Sequence, residues 1–262
     1  MKFLTVFFFV SLFLSCSIFG QNKKSYKIID SLNALSWELL YKDKEASLKN
    51  ALDALSLSKK EKYAFGESKA LLNKGLVLFS NGSLSHSLKT LFEAELILLK
   101  NKDLEPSSAK DLALIYNQIA RIYIELNSIE NSYDYIKKSI DLNKKYQDEK
   151  QLANNYVNLS IIKSSLFEID SAEYYLNVAN SLYESENDTV GIISALTNLG
   201  YLASMTFDFK KEQEYYVKAL NYIQSENESF IQVMYNLAES KFSDNDFNAA
   251  SLNAKLAYDA AI

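Results

Sequence analysis

Proline occurs once in the 262 residues and glycine six times. Ordinary usage would give roughly thirteen and eighteen. Sheet sandwiches and barrels need turn residues every few positions, so an all-β fold is excluded. A parallel α/β sheet is disfavoured as well, because its tight βα turns and switch points draw on glycine. Cys16 is the only cysteine, His86 the only histidine and Arg121 the only arginine. These scarcities remove disulfides, ordinary zinc sites, Cys/His nucleophile pairs and arginine clusters for phosphate. No Gly-Lys-Ser/Thr phosphate loop and no Gly-x-Gly-x-x-Gly turn is present. The formal net charge of -5 argues against a nucleic-acid partner, which draws on a basic face. No catalytic constellation, metal site or cofactor site emerges, and no enzymatic activity is expected.

What is present is a core-forming supply of apolar residues, 48% of the chain, arranged at helical spacing. Residues 1–20 stand apart. Lys2 precedes a run of Phe, Leu and Val that ends in small residues near Gly20, the layout of an export signal. Two cleavage readings compete. Ordinary cleavage would fall between Gly20 and Gln21, with Ile18 and Gly20 at the recognition positions. Lipoprotein cleavage would fall before Cys16, where Phe13 and Leu14 depart from the usual small residues. An uncleaved anchor is the third option. All three place residues 21–262 outside the cytoplasm, in the periplasm.

From residue 30 onward one pattern recurs. An apolar helix carries a small residue, a polar turn with Asp or Asn follows, and a second helix carries aromatics and alanine. Asn198-Leu199-Gly200 leads to Asp208-Phe209, Tyr215-Tyr216 and Ala219. Asn236-Leu237-Ala238 leads to Asp246-Phe247, Ala250 and Ala257. Asn158-Leu159-Ser160 leads to Asp170, Ala172, Leu176 and Ala179. Earlier copies centre on Ala120 and Gly75. The copies recur at steps of roughly 40 residues, a period that reads as a repeat architecture.

Small side chains at Gly75, Ala120, Ser160, Gly200 and Ala238 let paired helices cross closely. Asp43, Asp170, Asp208 and Asp246 sit where a helix needs an N-cap, and Asp170 with Glu173 has capping-box spacing. Pro106 suits the first turn of a helix and Gly82 a turn. Trp37 is expected in the core of the first pair, and His86 on a surface. Of the Tyr pairs at 174–175 and 215–216, one ring is expected inside and one at the rim. Glu212 breaks the pattern, because its counterparts Ala172 and Ala250 are small. Its carboxylate is expected to reach solvent along its stem, or the turn to shift. The acidic pairs Glu212/Glu214 and Asp244/Asp246 read as solvated faces and caps. Ala250, Leu252, Ala254, Leu256, Ala257 and Ala261 form a last apolar face with no capping helix after it. That face is expected to be covered by further sequence beyond residue 262, by a second copy, or not at all.

Over residues 30–262 the chain resembles the tetratricopeptide repeat family in its version of about 40 residues. No proline closes any repeat, which departs from the family pattern. The resemblance implies an all-α, right-handed superhelical solenoid of about six antiparallel helix pairs, with a concave groove lined by the first helices. Carried over to this chain, the groove positions are Asn73, Asn117, Gln118, Arg121, Asn154, Asn158, Asn198, Tyr201, Tyr235, Asn236 and Glu239. Such amides and tyrosines suit an extended peptide, although the asparagines also serve to tie neighbouring repeats together. The two-lysine clamp that some members use for C-terminal carboxylates is absent, since Leu72, Leu76, Leu114 and Asn117 hold those positions. The opening segment Leu35–Asp43 resembles the first repeat of exported sensor regions in Bacteroidetes-type histidine kinases and helix-turn-helix regulators. The resemblance implies a protein or peptide ligand and a periplasmic sensory role. A free-standing or lipid-anchored scaffold for envelope assembly is the alternative. Contact with the membrane would run only through a lipid on Cys16 or a downstream segment.

Overall fold

The computed structural model describes residues 24–100, 106–225 and 227–262. Cys16 and residues 1–20, where an export signal is expected, lie outside the described residues. Twelve helices and no strand occur among the described residues: α1 (24–39), α2 (Lys44–Glu61), α3 (Ala64–Ser80), α4 (Leu84–Leu99), α5 (Pro106–Glu125), α6 (Ile129–Lys145), α7 (Glu149–Ser165), α8 (Ile169–Ser185), α9 (Thr189–Ser204), α10 (Phe209–Leu220), α11 (Glu228–Ser243) and α12 (Phe247–Ala260). No helix among the described residues is long and apolar enough to cross a membrane. The chain divides into two compact units, Met1–Ile122 and Tyr123–Ile262.

The turns follow one grammar. A single residue in the left-handed region ends a helix, and the next residue starts the following one. Asn127, Gln147, Phe167, Asn187 and Phe207 hold this position with φ of 54, 53, 59, 53 and 59°, spaced 20 residues apart, and Asn245 repeats it at 62°. Asparagine tolerates this region through its short polar side chain. The residue after it is the N-cap: the Asp148, Asp188, Asp208 and Asp246 carboxylates accept from the backbone N–H three residues on. Asp43 caps α2 in the same way. Asp170 does not cap. The left-handed residue of that turn is Phe167, so the cap position falls on Glu168, whose side chain makes no capping bond, and Asp170 lies exposed in the first turn of α8.

In the first unit α1 turns Ile29, Asn33 and Ser36 inward, and Leu40, directly after its last residue, is buried with them. Their spacing of four, three and four is one helical stripe. Trp37 lies one position off it and is 47% exposed, so it is not core. The α1–α2 crossing is closed by serines. The Ser47 hydroxyl donates to the Ser36 carbonyl at 2.7 Å, and the Ser36 hydroxyl to the Ser47 carbonyl at 2.9 Å. Asn33 donates its amide to the Gly66 carbonyl at 3.0 Å, and Asn73 donates to the Asn33 carbonyl at 2.8 Å. At Gly75 an added Cβ would come within 2.7 Å of Leu91. Gly82 has a φ of +74° in its turn, Pro106 opens α5, and His86 is exposed.

In the second unit the core gathers Ala153, Ala172, Leu176, Ala179, Ile192, Leu199, Tyr216, Val233 and Leu237. Two rings explain two glycines. A Cβ on Gly191 would strike the Tyr183 ring, and one on Gly200 the Tyr216 ring. A second small-residue contact is polar. Asn143 donates to the Asn155 Oδ1 at 2.6 Å, and Asn155 donates to the Ser139 hydroxyl at 3.0 Å. Tyr216 is buried while Tyr215 is half-buried, and Tyr174 is 63% exposed while Tyr175 is half-buried. On α12, Ala250 and Ala257 are buried while Leu252 and Leu256 are exposed.

Candidate functional site

Helices α9 and α11 are first helices of consecutive pairs, and α10 lies between them in the chain. Together they enclose a cavity of about 340 Å³. Its wall carries Tyr201 and Ser204 from α9 and Asn236, Glu239 and Ser243 from α11. Phe209, Glu212 and Tyr216 come from α10. The four-residue spacing of Glu212 and Tyr216 puts both on one face of α10. The missing side chain at Gly200 leaves room for the Tyr216 ring.

Glu212 is only 5% exposed. It neither reaches solvent nor shifts the turn, because Ser240 on α11 supplies what an alanine at this position would not need. The Ser240 hydroxyl donates to a Glu212 carboxylate oxygen at 2.7 Å. Burial raises the Glu212 pKa above the usual carboxylate range. Hydrogen bonds from Ser240 and Tyr216 pull it back, and the charge of Glu239 pushes it up again. Burial also pushes the Tyr216 hydroxyl well up, so that it stays a neutral donor.

Of the groove positions carried over from the resemblance, the cavity brings together Tyr201, Asn236 and Glu239. Tyr201 is 59% exposed. Asn236 accepts from the Gln232 amide at 2.8 Å through its own carbonyl oxygen, and Glu239 accepts from the Tyr235 hydroxyl at 2.9 Å. Tyr235 is thus one side chain removed from the wall. Asn198 is half-buried and returns its amide to the Ser194 carbonyl at 2.8 Å. Asn154 is also half-buried. It donates to Gln151 at 3.1 Å and accepts from the Tyr183 hydroxyl at 2.6 Å, so it braces α7 against the end of α8.

Four positions lie inside the protein rather than on a groove. Asn73, Asn117, Gln118 and Asn158 are all buried. Asn73 spends its amide on α1, as described, so it ties two first helices and offers a ligand no surface. Gln118 accepts from Arg121 at 3.2 Å, and the Arg121 guanidinium stacks on Phe79 at 4.8 Å. The single arginine is therefore anchored on the protein's own aromatic surface.

The sequence pattern did not disclose a second cavity of about 390 Å³ between α6, α7 and α8. Tyr133, Tyr156, Tyr174 and Tyr175 line it together with Lys137 and Lys144. No group of three or more His, Cys, Asp or Glu among the described residues could hold a metal ion.

No protein-family model and no curated protein matches the chain. Solved structures do. The Rap protein complexed with competence and sporulation factor aligns over 94% of this chain and 77% of its own, at 15% identity and a TM-score of 0.70. NprR in complex with its cognate peptide NprX aligns over 92% of this chain and 68% of its own, at 14% identity and a TM-score of 0.69. TPR-like repeats of a Podosopora anserina kinesin light chain align over 73% of this chain and 93% of their own, at 10% identity and a TM-score of 0.58. The fold is that of TPR-like repeats. Within this array α9 and α11 are first helices of consecutive pairs, and both line the cavity.

Proposed function

We propose that this chain is a non-enzymatic TPR-like scaffold that binds an extended peptide, and that it serves as the periplasmic sensory part of a signalling protein. The cavity between α9, α10 and α11 carries the reading. It combines an exposed tyrosine, an amide and a carboxylate on rigid first helices, over a floor of buried polar groups. Two neighbours of the same fold were solved in complex, one with its cognate peptide and one with competence and sporulation factor. The export pattern of residues 1–20 and the opening segment Leu35–Asp43 support the location and the sensory role.

The test is peptide display on the immobilised protein, followed by titration of the selected peptides. Micromolar binders are expected. Tyr201→Ala should weaken them about 30-fold, the loss of a hot spot of about 2 kcal/mol. Tyr201 is more than half exposed, so its truncation leaves the fold intact. Failure to enrich any peptide, or peptides indifferent to Tyr201→Ala, would overturn the assignment. Fractionation of the producing cells tests location. Protein remaining in the cytoplasm would sink the export reading, and lipid labelling lost in Cys16→Ser would select the anchored form.

A further inference from the structure

We infer that the α9–α10–α11 cavity receives one alkylammonium or guanidinium group, a basic side chain of the bound peptide, between the carboxylates of Glu212 and Glu239. The identity of the donor as a peptide rests on the function proposed above; the cavity's preference for a cation rests on its own chemistry.

Glu212 is the only acidic side chain among the described residues that is almost wholly buried. A carboxylate so placed ordinarily has a cation beside it, because desolvating an uncompensated charge is costly. Elsewhere even carboxylates more open to solvent have a lysine beside them. Asp111 lies 3.6 Å from Lys69, Asp188 lies 2.8 Å from Lys150, and Glu173 lies 2.7 Å from Lys211. Glu212 takes part in no ion pair among the described residues; its partners are the hydroxyls of Ser240, at 2.7 Å, and of Tyr216. The lining of the cavity holds a second carboxylate, Glu239, and no basic residue. The two like charges repel, as the upward push of Glu239 on Glu212 records. A cation between them would relieve both penalties at once.

The rest of the wall suits an organic cation better than a metal ion. Tyr201, which is exposed, and Phe209 and Tyr216 all line the space, so aromatic side chains are at hand for an organic cation. Ser204 and the Asn236 carbonyl oxygen can accept the remaining ammonium protons. For a metal ion the cavity holds two carboxylates, fewer than the three His, Cys, Asp or Glu side chains of a metal-holding group, and no such group occurs among the described residues.

The test uses the full isotope-labelled protein and follows its amide resonances during titration with n-butylammonium chloride. Sodium chloride, 1-butanol and calcium chloride serve as controls, and n-propylguanidinium distinguishes an arginine-like from a lysine-like guest. Saturable shifts are expected at Tyr201, Asn236 and Ser240 with butylammonium or propylguanidinium alone. Glu239→Gln should weaken the binding severalfold and Glu212→Gln should abolish it, with the rest of the spectrum unchanged in both. Shifts no larger than those from sodium chloride would overturn the inference, as would equal saturation by 1-butanol or calcium, or saturation that survives both variants. The two readings can fail separately. Display peptides without any cation response leave peptide binding standing and remove the cation site. A cation response without display peptides retains the site and removes the peptide as its guest.

Discussion

Glu212 shows what one residue can reveal. Its pattern break was visible in the sequence, as a glutamate where other copies carry alanine. Its burial was not, because that depends on Ser240, 28 positions away on α11. Sequence spacing identifies a position within its own helix, whereas the partner across the turn is set by packing. The same gap separates the asparagines. Asn73 and Asn236 precede the small residue of their copies, yet one is buried against α1 and the other lines a cavity. The raised pKa of Glu212 has a consequence for stability, and its sign follows from linkage. The folded state holds the proton more tightly than the unfolded chain does. The stabilising contribution is therefore complete below the unfolded pKa and lost as pH rises through the folded one. Glu212→Gln keeps an acceptor for Ser240 and removes the charge. Its thermal midpoint should exceed that of the wild type at pH 7, and the difference should vanish near pH 4. A variant less stable than the wild type at pH 7 would show that the carboxylate is already compensated within the protein.

At the scale of the element, the helices and their crossings were legible, and the caps nearly so. Gly75 and Gly200 were identified as crossing points because only a small residue lets two helices approach, and Leu91 and the Tyr216 ring occupy the space a Cβ would need. The cap error at Asp170 has a clear origin. A cap is defined by its place after the left-handed residue, and phenylalanine is a poor sequence signal for that conformation. Phe167 and Phe207 hold it nonetheless, 40 residues apart at equivalent turns. Once the 20-residue spacing of the turns is known, Glu168 rather than Asp170 is the cap. The distinction can be measured. Asp208→Ala and Asp246→Ala should each cost about 1 kcal/mol, the usual loss of an N-cap carboxylate. Asp170→Ala should cost less than half as much, since it loses only an exposed charge near a helix N-terminus. Equal losses in denaturant titrations of the three variants would mean that Asp170 caps in solution.

Within each compact unit, from α2 to α4 and from α6 to α12, the helices pack chiefly on their neighbours in sequence, with the more distant α7–α9 and α9–α11 contacts joining first helices of consecutive pairs. Repeat proteins of this kind hold stability as a sum of local terms and nearest-neighbour interfaces. The architecture was legible at this scale because a period survives the degeneracy of each copy. The cavity was not, because its wall draws on three helices whose individual patterns are unexceptional apart from Glu212. Local stability makes the effect of a packing defect local too. Gly200→Ala drives a methyl group into the Tyr216 ring, an overpacking worth about 1–3 kcal/mol. Better helix propensity returns about 1 kcal/mol, so the net loss is about 0–2 kcal/mol. Hydrogen exchange should therefore accelerate in α9, α10 and the helices that touch them, α7, α8 and α11. Protection in α2, α3 and α4 should stay within error of the wild type, because these helices belong to the other compact unit. Acceleration spread evenly over all twelve helices would mean that the chain unfolds as one cooperative block, and the nearest-neighbour account of its stability would fail.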